Sequence, residues 1–544
     1  MVDFNEFTTN LENYHSDTKE MVSKLEDFCT DPVGDVTFEL ASGSTTISNL
    51  AKIQSNAYGS ASRTAYDTLA QGDPIVMYND AGTAKAKKMV AGSWGNANTI
   101  EAGLTYVTDG CFDSDEEEVI SLQIDSGSNL DISSGSISGT SITWNSSQEI
   151  SSSPSTLPSK SQIIFAGGDA TASTLVIFYI HTGDGYIHYR VVTNNGSGSF
   201  TLGTDTALIS EDCSAFHVSY DEDNNEIYIV YVYENAGTTY IKGNVLTVNG
   251  SGRSLSAGTP FSIEDDGGDG DTIKYPRCCF NSNLGTSGSI CMVWNYVDVS
   301  LTPDTVTVKA NVYDINSSSL GSAVSERLFN FTDDLGSIVT GDMVYDSEND
   351  IVYTTFGDEN ELNLNRMHLL KFHSEGVTSV SASNIVNFTS TTHAKSAGQR
   401  YKFDLENGKF YVLESQDQES YSTAYEYDLN YDECTFVSSH YLDASLANYG
   451  AITTDNNGKI IYLNQTQSTV KLPDERNKFV GFAEESIAVG NSGLCSKLTS
   501  SSSAFSGLTV GKKYYLKEDL SLTSVPTPFK IGIATDTDEI LITG

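Results

Sequence analysis

Carboxylates are the reactive groups this sequence offers most freely. Asp and Glu number 72 against 30 Lys and Arg, for a net charge of −42 over 544 residues. Two carboxylates at the right separation can act as acid and base on a glycosidic bond, and the densest groups are Glu116-Glu117-Glu118 and the run EDDGGDGD from Glu264 to Asp271. At this abundance such pairs arise from composition alone, so both are read as solvated turns. The second run also offers hard oxygen ligands to Ca2+, but it lacks the D-x-D-x-D-G spacing with a Glu at the twelfth position. No cofactor is therefore expected, Ca2+ being the one ion that the composition would admit.

The eight histidines, His15, His181, His188, His217, His368, His373, His393 and His440, form no H-E-x-x-H pair, and neither a G-x-S-x-G elbow nor a P-loop is present. His181 and His188 fall on neighbouring strands of one expected hairpin, which places a shared metal within reach; ordinary strand histidines are the expectation. Catalytic, cofactor-binding and metal-binding residues are thus expected to be none. The eight cysteines, Cys29, Cys111, Cys213, Cys278, Cys279, Cys291, Cys434 and Cys495, are scattered without a C-x-x-C and read as reduced, mostly buried side chains. What remains is aromatic surface: 29 Tyr against three Trp, with Tyr228, Tyr231 and Tyr233 as examples. A tyrosine presents an apolar face and a hydroxyl, a combination suited to carbohydrate and protein recognition.

The charge repels phosphate backbones and anionic lipid surfaces, so no nucleic-acid partner is expected. The first residues, MVDFNEFTTNLENY, show no basic stretch followed by an apolar one, and no apolar run of about 18 residues occurs. Neither Sec export nor membrane insertion is expected.

The elements that must position any site begin with residues 1–30. Apolar residues recur at spacings of three and four: Phe4, Phe7, Leu11, Tyr14, Met21, Leu25 and Phe28, with Thr18 filling the gap. This is the a/d seam of a helix roughly 37 Å long, ending before Asp31-Pro32. Bulky aromatics at a and d suit three strands, so a parallel homotrimer is expected. Residues 31–96 read as a small mixed α/β segment with helical ISNLAKIQSNAY and a strand-turn GDPIVMYNDAGTAKAKKM, whose Lys85, Lys87 and Lys88 form a basic island.

Residues 97–470 are rich in Ser, Thr, Gly and Tyr and repeat one pattern: an aromatic, an Asp or Asn, a polar turn, an apolar strand. It occurs at Phe112, Phe165, Tyr220, Phe280, Tyr345 and Phe403 and, with Thr453 in the aromatic place, a last time, at intervals of 53, 55, 60, 65, 58 and 50 residues. A hairpin plus one or two outer strands per unit is one four-stranded blade, and about seven such units predict a β-propeller, whose ring closure hides strand edges. The propellers that act as sialidases carry S-x-D-x-G-x-x-W repeats and clustered arginines, and this sequence shows neither. The fold class is accordingly mainly β: a coiled-coil helix, the mixed segment, an approximately seven-bladed propeller and, over 471–544, a small C-terminal β module.

The flanks carry a resemblance. GDPIVMYNDAGTAKAKKM precedes the repeats, and three stretches follow them: KFVGFAEESIAVGNSGLCSKL, SGLTVGKKYYLKEDLSL and FKIGIATDTDEILI. This bracketing resembles tail fibres and related virion fibre proteins of tailed bacteriophages. The matching residues are Phe479, Gly481, Phe482 and Ala483, then Gly507, Leu508, Gly511, Tyr514, Tyr515 and Leu516, and finally Lys530, Ile531, Gly532, Ala534, Ile540, Leu541 and Ile542. The resemblance implies a trimeric virion structural protein, assembled in the host cytoplasm and then extracellular, with other virion proteins and a host-surface glycan or protein as partners. A polysaccharide-cleaving propeller and a passive structural fibre are the alternatives. The stretch SGLTVGKKYYL is further expected to re-pair with the strand around Ile75 to Tyr78, joining the two flanks into one discontinuous domain.

Overall fold

The aromatic–Asp pairs of the repeat stand where a hairpin turns, and the aspartate makes the turn. In the computed structural model, which describes residues 36–40, 43–47 and 60–542 with interruptions in connecting segments, the longest of them 388–399, strand Leu104–Asp113 pairs with Glu118–Asp125 through Asp113 opposite Glu118. The Asp113 Oδ1 accepts the backbone N–H groups of Asp115 and Glu116, both at 3.1 Å. Asp221 accepts Asn224 N–H at 3.3 Å, and Asp455 accepts Lys459 N–H at 2.8 Å. A residue with positive φ then starts the second strand: Glu117 at 54°, Asn225 at 54°, Gly408 at 60° and Gly458 at 74°. Asn and Gly adopt this conformation readily, so an Asn or Gly three or four residues after the Asp marks the turn at Asn225, Gly408 and Gly458, whereas Glu117 adopts it against its type.

Each of the seven repeats lies on its own sheet. Six are antiparallel meanders of consecutive strands and form propeller blades; their first strands are Leu104–Asp113, Ser161–Asp169, Cys213–Asp221, Thr272–Asn281, Thr340–Asp346 and Arg400–Asp404. The seventh repeat lies on a composite sheet, in which Gly450–Thr454, Ile460–Asn464 and Gln467–Lys471 are completed by Asn98–Thr99 from the other end of the repeat region. Gly450–Thr454 packs against both Arg400–Asp404 and Leu104–Asp113.

Side chains on the first strands of the first three blades tie each of them to the next. Asp109 Oδ2 accepts Ile163 N–H at 3.0 Å, Gln162 Oε1 accepts Val218 N–H at 3.0 Å, and His217 Nδ1 and Ser219 Oγ accept Cys278 and Phe280 N–H, each at 3.2 Å. Between blades the core is apolar and obeys the two-residue period of a strand. Along Glu226–Asn235, Ile227, Ile229, Tyr231 and Tyr233 pack with the second blade, whereas Tyr228, Val230 and Val232 pack with the fourth. Burying an aliphatic or Phe side chain of this kind stabilises by about 1.5–3 kcal/mol.

These tyrosines correct the expectation of a tyrosine-rich recognition surface: Tyr228, Tyr231 and Tyr233 are all buried. Alternation alone did not reveal it, because both faces of a blade are covered by neighbouring blades.

The described residues divide into two units, 94–471 and the flanks 1–93 with 472–544. In the flanking unit Pro74–Asp80 pairs with Thr83–Lys88 on one side and with Gly481–Phe482 on the other, and Ser60–Thr64 pairs with Ser492–Ser496. The strand Lys513–Leu516 does not take the expected place beside Ile75. It lies in a separate five-stranded sheet with Lys530–Ala534 and Ile540–Ile542, and meets the first hairpin by packing, through a cluster of Val76, Met89, Phe482, Leu508, Tyr514 and Ile531. In the basic island Lys88 pairs with Asp73 at 2.8 Å, while Lys87 is buried.

No α-helix occurs among the described residues, and none is long and apolar enough to cross a membrane. The heptad seam Phe4, Phe7, Leu11, Tyr14, Thr18, Met21, Leu25, Phe28 and residues 48–58 of the expected second helix lie outside the described residues, while its first residue, Ile47, ends the strand Gly43–Ile47.

Candidate functional site

The hairpin between Ala172–Ile180 and Ile187–Asn194 in the second blade gathers the strongest constellation of chemical groups. His181 ends the first strand, where it bridges Pro154; Asp184 sits in the turn; His188 stands on the returning strand. Among the described residues these three are the one group of His, Cys, Asp and Glu whose donor atoms converge, all within 4.8 Å of one another.

The turn is built to hold them. Asp184 Oδ1 accepts Tyr186 N–H at 3.0 Å, and Gly185, at φ +73°, fits a position where a Cβ would fall 2.3 Å from the Asp212 carboxylate. At Gly183 a Cβ would come within 2.8 Å of the His181 ring, so this glycine lets the imidazole fold over the turn. The two imidazoles stack, with centroids 4.8 Å apart and planes at 25°.

Between the rings lies Asp184, its Oδ1 3.2 Å from His181 Nδ1 and its Oδ2 3.2 Å from His188 Nε2. The other His188 nitrogen, Nδ1, lies 2.8 Å from Asp205 Oδ1. Arg190 Nη2 stands 3.9 Å from the second Asp205 oxygen. His188 is the least exposed of the three, at 14% of its side chain, while His181 and Asp184 reach solvent at 26% and 35%. For Asp184 the slight burial pushes its acidity down. The Tyr186 N–H and the two histidines outweigh it and hold the carboxyl below its usual range.

No protein-family model matches the chain, and no curated protein matches it. Among solved structures it is similar to the BP39L lectin from Burkholderia pseudomallei, at 10% identity over 68% of this chain and 100% of that one, with a TM-score of 0.42. It is similar to a periplasmic gluconolactonase from Pseudomonas aeruginosa, at 11% identity over 76% and 99%, with a TM-score of 0.39, and to a protein from Lactobacillus plantarum, at 11% over 72% and 98%, with a TM-score of 0.37. The repeat region is a β-propeller. Its strand order carries that statement; likeness at this level assigns no activity.

The other candidates from the sequence are held by the fold. Glu118 is buried, accepting Asn194 Nδ2 at 3.2 Å and Ser197 N–H at 3.1 Å, while Glu116 and Glu117 face solvent. In the Glu264–Asp271 run the carboxylates point at donors of the scaffold: Glu264 takes Trp294 Nε1 at 2.7 Å and the Lys309 ammonium, Asp266 takes Thr239 N–H at 2.8 Å, and Asp271 takes the Tyr296 hydroxyl at 2.8 Å. These contacts give Glu264, Asp266 and Asp271 a structural role. His217 is a buried acceptor in the inter-blade seam. Among the described residues six cysteines form no disulfide, and five of these are buried; burial lifts the Cys495 thiol to about 11 and Cys213 further, which makes both poor nucleophiles at neutral pH.

The sequence places His181 and His188 on one hairpin but singles out neither Asp184 nor Asp205. The spacing H-x-x-D-x-x-x-H was legible, but Asp205 lies 17 residues beyond His188 and reaches it only because strand Thr206–Ile209 returns beside Ile187–Asn194.

Proposed function

We propose that the chain is a virion fibre-type structural protein of a tailed bacteriophage, which displays its propeller for attachment to the host surface. The observation that supports this reading best is how the propeller is inserted. Gly95 N–H donates to Val470 O at 2.8 Å, and two residues outward Leu472 N–H donates to Ser93 O at 2.9 Å. The chain therefore leaves and re-enters the flanking unit at adjacent points, and that unit is the part whose sequence resembles fibre proteins. A module inserted in this manner can vary without disturbing its carrier, as a display element must.

In this reading the composite sheet is a seventh blade that closes the ring, the heptads of residues 1–30 make a parallel homotrimer, and the partners are other virion proteins and a host glycan or protein. Three propellers per fibre raise weak single-site binding by multivalency. The role is binding without catalysis. In the phage, replacing residues 94–471 by a short linker is expected to leave particles that assemble and do not adsorb; particles that adsorb normally would overturn attachment, and new reducing ends released from host glycan by the intact protein would overturn the non-catalytic role. Light scattering on the full chain is expected to give three times the 58.7 kDa chain mass; a stable monomer sinks the trimer.

A further inference from the structure

We infer that His181, Asp184 and His188 form a binding site for a divalent metal ion of the Zn2+ class, with Asp205 orienting His188 from behind. The inference is independent of the attachment role and rests on the convergence of three donor groups, one atom of each within 4.8 Å of the others. A neutral imidazole carries one N–H, yet both nitrogens of His188 face carboxylate oxygens, Asp205 at 2.8 Å and Asp184 at 3.2 Å. The shorter contact assigns the proton to Nδ1, where it is donated to Asp205. The Nε2 lone pair is then aimed at an oxygen of Asp184 that is itself only an acceptor.

The same conflict recurs at His181. Its Nδ1 stands 3.3 Å from the Gly183 N–H, a contact in which it accepts, and 3.2 Å from Asp184 Oδ1. Two imidazole nitrogens and one carboxylate thus converge on one point, an arrangement that a shared cation satisfies.

The spacing suits the ion. Ligands about 2.0–2.1 Å from a tetrahedral Zn2+ lie about 3.3 Å from one another, and each imidazole stands 3.2 Å from one Asp184 oxygen, His181 from Oδ1 and His188 from Oδ2. One donor atom from each of the three residues falls within 4.8 Å of the others, so small side-chain rotations bring the set to that spacing. Asp205 on the far nitrogen reproduces the carboxylate–histidine–metal relay that fixes a ligating imidazole in one tautomer, and Arg190 stands behind that carboxylate. Two imidazoles and one carboxylate are the donors of Zn2+ and its first-row neighbours and are poor for Ca2+ or Mg2+, which prefer oxygen throughout. The exposure of His181 and Asp184 leaves a fourth position open to water or to an oxygen of a bound ligand.

Calorimetric titration of the tag-free, chelator-treated full chain with Zn2+, in excess Ca2+ to occupy loose carboxylate sites, tests the site. One Zn2+ per chain is expected, with Tm rising by about 3 °C at saturating metal, and with Co2+ giving the visible absorption of a tetrahedral complex. Asp184→Asn, which retains an oxygen for Tyr186 N–H, is expected to weaken Zn2+ about tenfold or more, and His181→Gln with His188→Gln to remove it. Urea midpoints of the metal-free variants, compared with the parent, confirm that each is folded. Zn2+ binding that is absent from the parent chain, or unchanged in folded variants, overturns the proposal. So does a cluster whose only response is a pH-dependent Tm without bound metal, since the groups are then an imidazolium–carboxylate network.

Discussion

Asp131 and Glu426 are both buried carboxylates, and their surroundings move them in opposite directions. Around Asp131 burial dominates, Asp125, Glu101 and Glu149 add repulsion, and its acidity weakens to a pKa of about 6 despite a hydrogen bond from Ser147. At Glu426 burial pushes the same way, but Lys471 and Lys409, both ion-paired to it, outweigh it and hold the carboxyl below its usual value. The signs follow. A raised carboxylate destabilises the fold above its folded pKa, a penalty relieved as pH falls from about 6 toward its unfolded value near 4. A lowered one contributes stability that is complete above the unfolded pKa and lost as pH falls through its folded value. Asp131→Asn is therefore expected to raise the urea midpoint at pH 7 and to have less effect at pH 4. Glu426→Gln leaves the Lys471 ammonium in the interior without its carboxylate, while Lys409 keeps Asp428 at 2.6 Å, and is expected to cost about 3–5 kcal/mol at pH 7. An unaltered midpoint in E426Q would show that Lys471 finds water instead. Neither shift was legible in the sequence, since Glu426 meets Lys471 across 45 residues.

At the scale of elements, the composite sheet shows which features a linear pattern holds and which it cannot. Its repeat, TTDNNGKIIYL, contains its own turn signal, and Asp455 accepts Lys459 N–H as that signal implies. Its edge is another matter: Asn98–Thr99 is two residues long and pairs with Gln467 and Ser468 about 370 residues away. A clasp of hydrogen bonds holds it. Trp144 Nε1 donates to Ser468 Oγ at 2.8 Å, and Ser468 Oγ donates to Asn98 O at 3.3 Å, so one hydroxyl joins the first blade, the composite sheet and its closing strand. Ser468 is buried, and Ser468→Ala strands an indole N–H and a carbonyl oxygen. The expected cost is about 1–3 kcal/mol, measured by urea unfolding. In a Trp144→Phe background the same change is expected to cost less, because one of the two stranded groups is gone; equal costs in both backgrounds would mean that the indole contact contributes nothing.

Over the whole molecule the charge matters more than any pair. A net −42 on 544 residues repels itself in the folded state, and the repulsion acts over a Debye length of about 10 Å at 0.1 M salt. Tm is expected to rise as NaCl increases from about 0.02 to 0.5 M, before the surface ion pairs, each worth roughly 0–1 kcal/mol, are screened away. A Tm that falls with salt would show that attractive pairs dominate. Scanning calorimetry across that range reads the sign directly, and the flanking unit and propeller are expected to melt as separate transitions.

The sequence by itself determined the strand class, the repeat, and the turn chemistry of Asp113, Asp221 and Asp455, because these depend on residues within one hairpin. It also placed His181 and His188 on one hairpin. Tertiary structure decided the rest. It buried Tyr228, Tyr231 and Tyr233 between blades, sent Gly481–Phe482 rather than Lys513–Leu516 to the strand at Ile75, and brought Asp205 to His188. Local pattern sets which face a side chain takes; what covers that face depends on ring closure and strand return, which join residues that the chain keeps far apart.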